Sequence, residues 1–194
     1  MNETVNYYKK ELLPIETERL IIRLLEEGEV NEVVRFVTEN RDHLQPWEPL
    51  RQEEYFTSEY WKKEIIRRQN EFYLGEGASF AVFLKEKYTG PIIGICNFSS
   101  FMYGIFRACF LGYSIDYRYQ GQGIMMEALK AAIGFVFDTF QMHRIMANFV
   151  PGNLRSRQLL KKLGFEEEGF AREYLKINGK WEDHILTSLI NPMV

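Results

Sequence analysis

The run Tyr119–Ala128, YQGQGIMMEA, sets Gly121 and Gly123 one residue apart, just ahead of a stretch with helical character. Glycine weakens a helix and adds nothing to a core, so two of them at a helix start need another reason. Such a turn can hold an anion. The first N–H groups of a helix have no intrahelical partner, and the helix dipole adds positive potential there. Gln120 and Gln122 bring no charge, so main-chain donors would supply most of the attraction. The alternative is a tight turn with no ligand, and a lone G-x-G divides evenly between the two readings. The run lacks the third glycine of a dinucleotide fingerprint and the Gly-Lys-Ser/Thr of a P-loop.

Other residues able to do chemistry are sparse. Glu48, Asp116 and Glu127 are carboxylates near predicted element ends, where most such groups are surface or capping residues. Glu127, one turn into its helix, would also suit the dipole. His143 can titrate, but it reads as structural. Trp47, in LQPWEPL, either lines a pocket or anchors its loop. Cys96 and Cys109 both lie in apolar runs and read as reduced core residues, not as a disulfide or metal pair.

The elements that must position these residues follow from periodicity. A strand is expected over residues 19–25, and a helix over 27–40 with Val30, Val33, Val34 and Val37 on one face. Pro46 and Pro49 make residues 44–50 a loop. A long amphipathic helix over 53–75, with Phe56, Tyr60, Trp61, Ile65 and Ile66 as apolar members, ends at Gly75. Three strands follow: 78–85 and 91–100, joined through EKYTG, then 106–116. Next come a helix over 121–140, a strand over 143–150, and a helix from Asn153 to Gly164. A closing hairpin, 166–177 and 180–190, turns at Asn178–Gly179 in type I′ fashion. Consecutive strands before helices exclude a plain doubly wound repeat and imply one mixed α/β sheet with helices on both faces.

The chain has 194 residues, 46% hydrophobic and 15% aromatic, enough for a sizeable core, and residues 1–194 read as a single domain. No apolar run reaches bilayer length and no secretory signal is evident, so a cytoplasmic protein with no membrane partner is expected. A net charge of −3 argues against direct nucleic-acid binding.

The glycine stretch resembles motif A of the GCN5-related N-acetyltransferase (GNAT) superfamily, Q/R-x-x-G-x-G/A. Arg118-x-x-Gly121-x-Gly123 matches in letters, while Gln120-x-x-Gly123-x-Met125 departs at its last place. The second register is preferred because it leaves YSID, Tyr113 to Asp116, at the strand end. NLRSRQLLKKLGF matches a second family motif through Asn153, Ser156, Gly164 and Phe165. ETERLIIR, RACFLGYSI and INGKWEDHILTSL look like the RimJ/RimL branch, and the likeness spans roughly residues 15–191.

The resemblance implies a mostly antiparallel sheet of about seven strands, splayed between strands four and five. It implies acetyl-CoA as cosubstrate and no metal. The pyrophosphate would sit on Gln120, Gly121, Gln122, Gly123, Ile124 and Met125, and the pantetheine on Tyr113, Ser114, Ile115 and Asn153. Asn153 also reads as a plain N-cap. Ser156 stands at the family position near the sulfur, as proton donor or as a small residue making room. Trp47 and Glu48 are substrate-side candidates. The positions where alanine-specific relatives carry a catalytic Glu and Tyr hold Asn148 and Leu160, so no base is evident. The branch acetylates N-termini of ribosomal proteins, which implies the N-terminal alanine of protein five of the small subunit as acceptor. The assembling ribosome is a possible further partner. Small-amine or antibiotic acetylation, and a non-catalytic acetyl-CoA- or ribosome-binding regulator, are the alternatives.

Overall fold

The computed structural model describes residues 11–87 and 90–193. Five helices are α1 (Val30–Glu39), α2 (Arg41–Leu44), α3 (Ser58–Leu74), α4 (Ile124–Phe140) and α5 (Leu154–Lys162). The strands are β1 (Ile15–Glu16), β2 (Leu20–Arg23), β3 (Ala78–Leu84), β4 (Gly94–Met102), β5 (Ala108–Ile115), β6 (Arg144–Met146), β7 (Glu166–Ile177) and β8 (Lys180–Ile190). Among the described residues they form one sheet, ordered β1-β2-β3-β4-β5-β6-β8-β7. Every neighbouring pair is antiparallel except β5 and β6.

Alternation along β2, β3 and β4 sends successive side chains to opposite faces. Leu20, Ile22, Phe80, Val82 and Phe98 join Leu129, Ile133 and Val136 of α4 in one core. Ile21, Ala81, Phe83 and Ile95 join Val33 and Phe36 of α1 and Trp61 and Ile65 of α3 in a second. Helices therefore cover both faces, as expected.

The details differ in instructive places. The sheet has eight strands rather than about seven, because Ile15–Glu16 adds a two-residue pairing against Ile21–Ile22. Residues 44–50 are not simply a loop: α2 ends at Leu44, and Gln45–Trp47 form a 3-10 turn with Pro46 near its start, where a missing N–H costs nothing. The helix expected over 53–75 starts later. A 3-10 turn covers Glu53–Phe56, and the Thr57 side chain then caps α3 by accepting from the Tyr60 N–H. Ile66 is exposed, off the buried stripe. β4 begins at Gly94, three residues late, and the joining EKYTG lies partly outside the described residues. Regular pairing of the 143–150 run stops at Met146, and Phe149 pairs separately with Ile185 of β8. The Asn178–Gly179 turn has φ of 43° and 81°, as a type I′ hairpin requires. Cys96 and Cys109 are buried free thiols, and burial pushes both up to about 12.

Candidate active site

The site originates in a mismatch of pairing along β5. On the β4 side the ladder runs from Ala108 to Ile115. On the β6 side it stops at Phe110, paired with Met146. Beyond that point the strands diverge, leaving the Leu111–Ile115 edge without β6 as partner. Gly112, Tyr113, Ser114 and Ile115 line the resulting cleft. Its volume is about 1490 Å³, beyond the roughly 300–1,000 Å³ of a small-ligand pocket and enough for a coenzyme with a second substrate.

The glycine turn closes one end of this cleft. Gly121 and Gly123 adopt φ of +71° and +76°, a region that L side chains rarely enter, and Gly123 is the N-cap of α4. A Cβ built on Gly121 would meet nothing within 4 Å, so its main chain faces open space. The first-turn N–H groups of α4 are free of intrahelical partners by geometry. These features fit an anionic group such as a pyrophosphate. Gln120 is fixed by its side chain: its amide donates to His43 Nε2 at 2.7 Å and its carbonyl accepts from Arg155. His43 is held below its usual pKa, first by burial and then by Arg155.

The carboxylates divide by environment. Asp116 is buried, accepts from the Arg118 N–H at 2.9 Å as a turn cap, and pairs with the Arg118 guanidinium. Glu39 shares that guanidinium. Asn40, fully buried, accepts from the Tyr117 N–H at 3.0 Å and so ties the end of α1 to the same turn. Glu127 faces away from chemistry: it accepts from Thr17 Oγ1 at 2.6 Å, the Arg19 N–H at 2.9 Å and Arg19 Nε at 2.6 Å. Glu48 does line the cleft, beside Trp47. Burial pushes its carboxyl above the usual range, against the pull of Arg51 and Arg68.

At the centre, Asn153 caps α5 by accepting from the Ser156 N–H at 3.1 Å, which is the local reason Ser156 stands in the cleft. Ser156 Oγ lies 2.7 Å from the Tyr113 hydroxyl. Burial raises the Tyr113 phenol to about 12, while the serine pulls the other way, so the phenol stays protonated near neutrality. Leu160 is fully buried, and Asn148 Oδ1 accepts from the Thr187 N–H at 3.1 Å. His143 lies away from this cleft, its N–H bonded to the Arg107 carbonyl.

The cleft thus assembles Tyr113, Ser114, Ile115, Gln120, Gly121, Gly123, Ile124, Met125, Asn153, Ser156, Trp47 and Glu48 from distant parts of the chain. Gln122 points elsewhere, its amide donating to the Arg118 carbonyl. The sequence reading missed the hydroxyl of Tyr113, His43 and Arg155 around Gln120, and Tyr174 and His184 on the closing hairpin. Only the WEDHIL run carried a signal, a histidine within an otherwise strand-like pattern. Among the described residues, no three His, Cys, Asp or Glu side chains come together as a metal site, and no helix is long and apolar enough to cross a membrane.

A splayed sheet with a glycine turn at the mouth of the splay defines an acyl-CoA-dependent N-acetyltransferase, and residues 19–166 match the model of the acetyltransferase (GNAT) domain. The chain belongs to the GNAT family. It is 44% identical over 176 residues to the [ribosomal protein uS5]-alanine N-acetyltransferase of Escherichia coli, covering 91% of this chain and 90% of that one. Among solved structures it resembles the ribosomal-protein-S5-alanine acetyltransferase of Vibrio fischeri, with a TM-score of 0.88 and 39% identity over 93% of this chain and 97% of that one. It also resembles Mycobacterium smegmatis RimJ in complex with CoA-disulfide, with a TM-score of 0.83 and 26% identity over 90% and 83% of the two chains.

Proposed function

We propose that this acetyltransferase moves an acetyl group from acetyl-CoA to the N-terminal α-amine of a ribosomal protein, alanine first, with small-subunit protein uS5 as the acceptor. The reading takes residues 1–194 as one catalytic domain working in the cytoplasm. The observation that carries it is the 44% identity to the uS5-alanine enzyme over nine-tenths of both chains.

The cleft chemistry agrees. Main-chain donors of the 121–125 turn hold the pyrophosphate. Pantetheine completes the bare edge of β5 at Tyr113, Ser114 and Ile115. The amine attacks the thioester carbon directly, and the main chain near Ile115 donates to the oxyanion. As the C–S bond breaks, Ser156 gives its proton to the thiolate and draws on Tyr113, 2.7 Å behind it. Trp47 and Glu48 line the cleft and are taken as its acceptor side.

Acceptor choice follows from proton chemistry. An α-amine has a reference pKa of about 7.7–8.0 against about 10.4 for lysine, so near pH 7 roughly a tenth of α-amines are neutral but only a few in ten thousand lysines. A site with Asn148 in place of a strong carboxylate base suits the α-amine. The test offers an Ala-starting uS5 peptide with a free and with a blocked N-terminus, internal lysines free in both, and follows thiol release. Turnover only with the free N-terminus is expected. Comparable rates on the two peptides refute the acceptor assignment. Turnover only with polyamines or aminoglycosides would make this a small-amine enzyme, and acetyl-CoA binding with no turnover would make it a regulator.

A further inference from the structure

The cleft has an acid side, in Ser156 and Tyr113, but the deprotonating partner that direct attack requires is not among the carboxylates above. Asp116 and Glu127 are spent on caps and clips, and Glu48 is paired with Arg51 at 3.4 Å. One titratable group on the opposite wall is built differently. His184 of β8 is 3% exposed and lines the cleft together with Asn148 and Tyr174. Its Nδ1 lies 3.0 Å from the main-chain carbonyl of Glu182. A carbonyl oxygen only accepts, so Nδ1 carries the hydrogen and Nε2 is left with its lone pair.

The surroundings are shaped to keep the ring there. Opposite His184 the β7 ladder is interrupted: pairing passes from Ala171↔His184 to Leu175↔Glu182, so Arg172, Glu173 and Tyr174 stand against Asp183 alone. Glu173 takes a φ of +47°, unusual for a residue with a side chain, and its N–H is satisfied by Asp183 Oδ1 at 2.8 Å. Bulges of this kind re-aim side chains and are common beside active sites. This one sets the Tyr174 ring 5.5 Å from the His184 ring and its hydroxyl 3.4 Å from Asn148 Nδ2.

We propose that His184 is the general base of the reaction, accepting the proton of the acceptor amine on Nε2. The inference rests on the acetyl-transfer reading above. In the step, the amine nitrogen bonds to the thioester carbon and the carbonyl π pair moves to oxygen. The nitrogen then gives up a proton to Nε2. The oxyanion pair returns, the C–S bond breaks, and the thiolate takes its proton from Ser156. Ser156 recovers a proton from solvent through Tyr113 and His184 releases one to solvent, so amine and acetyl-CoA become amide and CoA thiol and both residues return to their starting state. Facing the ring, Tyr174 from β7 is ionisable, while Asn148 from the segment after β6 is neutral. The charged groups elsewhere along the cleft are Glu48, Arg51, Arg68, Arg155 and Lys162.

The experiment measures kcat/KM against pH for the wild type and His184→Gln on an Ala-starting peptide, with acetyl-CoA affinity taken by calorimetry. In the wild type log kcat/KM should climb with pH as the α-amine loses its proton. With His184→Gln that climb should remain, at a lower level throughout. Near neutrality the variant should lose about a hundredfold or more of kcat/KM, with acetyl-CoA affinity unchanged within about twofold because His184 belongs neither to the glycine turn nor to the bare edge of β5. His184→Ala should recover at least about tenfold on addition of imidazole, which a merely structural histidine would not do. Full activity in His184→Gln overturns the proposal, as does a His184→Ala protein that imidazole does not rescue. A wild type that releases no thiol with any α-amine acceptor overturns the proposed function and this role with it. Wild-type turnover matched by an unimpaired variant overturns the role alone.

Discussion

Glu127 sits in the first turn of α4, one turn from the glycine turn, and its neighbours show what its removal would do. Oε1 accepts from Thr17 Oγ1 and from the Arg19 N–H, and Oε2 from Arg19 Nε. Arg19 in turn donates from Nη1 to the Gln122 carbonyl at 3.1 Å. The carboxylate therefore clips the chain before β2 onto the glycine turn. Glu127→Gln keeps an oxygen for Thr17 and the Arg19 N–H but turns an NH₂ toward Nε. Arg19 is about half exposed, so water replaces much of that ion pair and the loss should be about 0.5–1.5 kcal/mol. Glu127→Ala removes all three bonds, but water reaches the Arg19 donors and Thr17 Oγ1 keeps the Leu20 carbonyl, so it should cost about 1–2 kcal/mol, which for a chain of this size lowers Tm by roughly 2–8 °C. Burial alone would raise the pKa of Glu127; the Thr17 and Arg19 bonds outweigh it and hold the carboxyl below its usual value. A depressed carboxylate stabilises the fold above its unfolded pKa, about 4.3, and loses that contribution as pH falls through the folded value. The gap between wild type and Glu127→Gln should thus be full near neutrality and close in acid. Urea denaturation at several pH values measures it. Acetyl-CoA affinity should weaken by about threefold to tenfold as the turn loosens, with kcat at saturation within about twofold of wild type. A Glu127→Gln protein of undiminished stability and affinity but a hundredfold lower kcat would refute this reasoning and make Glu127 the base.

Gly123→Val forces a β-branched residue to a φ of +76° and should weaken acetyl-CoA binding while the domain stays folded, at a cost of about 1–2 kcal/mol; unchanged affinity by calorimetry would remove the phosphate role from the turn. Ser156→Ala should lower kcat by roughly tenfold to a thousandfold, towards the lower end, with little change in acetyl-CoA affinity. Tyr113→Phe should act in the same direction and non-additively with it, since the two hydroxyls are bonded; strictly additive losses would separate them.

Strands, long helices and both caps of α5 were legible because periodicity and capping are local. Asn153 and Gly164 signal their helix ends through their own side-chain and backbone preferences. Local signals failed where tertiary pairing decides. Ile15–Glu16 is a strand only because β2 lies beside it. The 143–150 run looks uniform, yet it is cut at Met146 where the sheet must open. The glycine turn could be read because glycine is chemically unambiguous at positive φ. The Ser156–Tyr113 contact could not, since it joins residues 43 apart. His184 was hidden for a related reason: a histidine in a strand pattern is ordinary until the tertiary fold sets it beside Asn148 and Tyr174 in the cleft.

The sheet order also constrains how the chain can be assembled as it is made. β1 to β5 are consecutive in space as in sequence, so that half can pair as soon as it emerges. β6 cannot be completed in the same way. Its outer neighbour is β8, which is synthesised after β7, and β7 reaches the sheet only through β8. Chains grow from the N-terminus, and pairings between distant segments form slowly. A nascent chain ending short of residue 180 therefore holds the glycine turn and the bare edge of β5 but lacks the wall that carries His184. During synthesis the segments that carry the glycine turn and the β5 edge are therefore made before the closing hairpin, and one wall of the cleft is the last to be added.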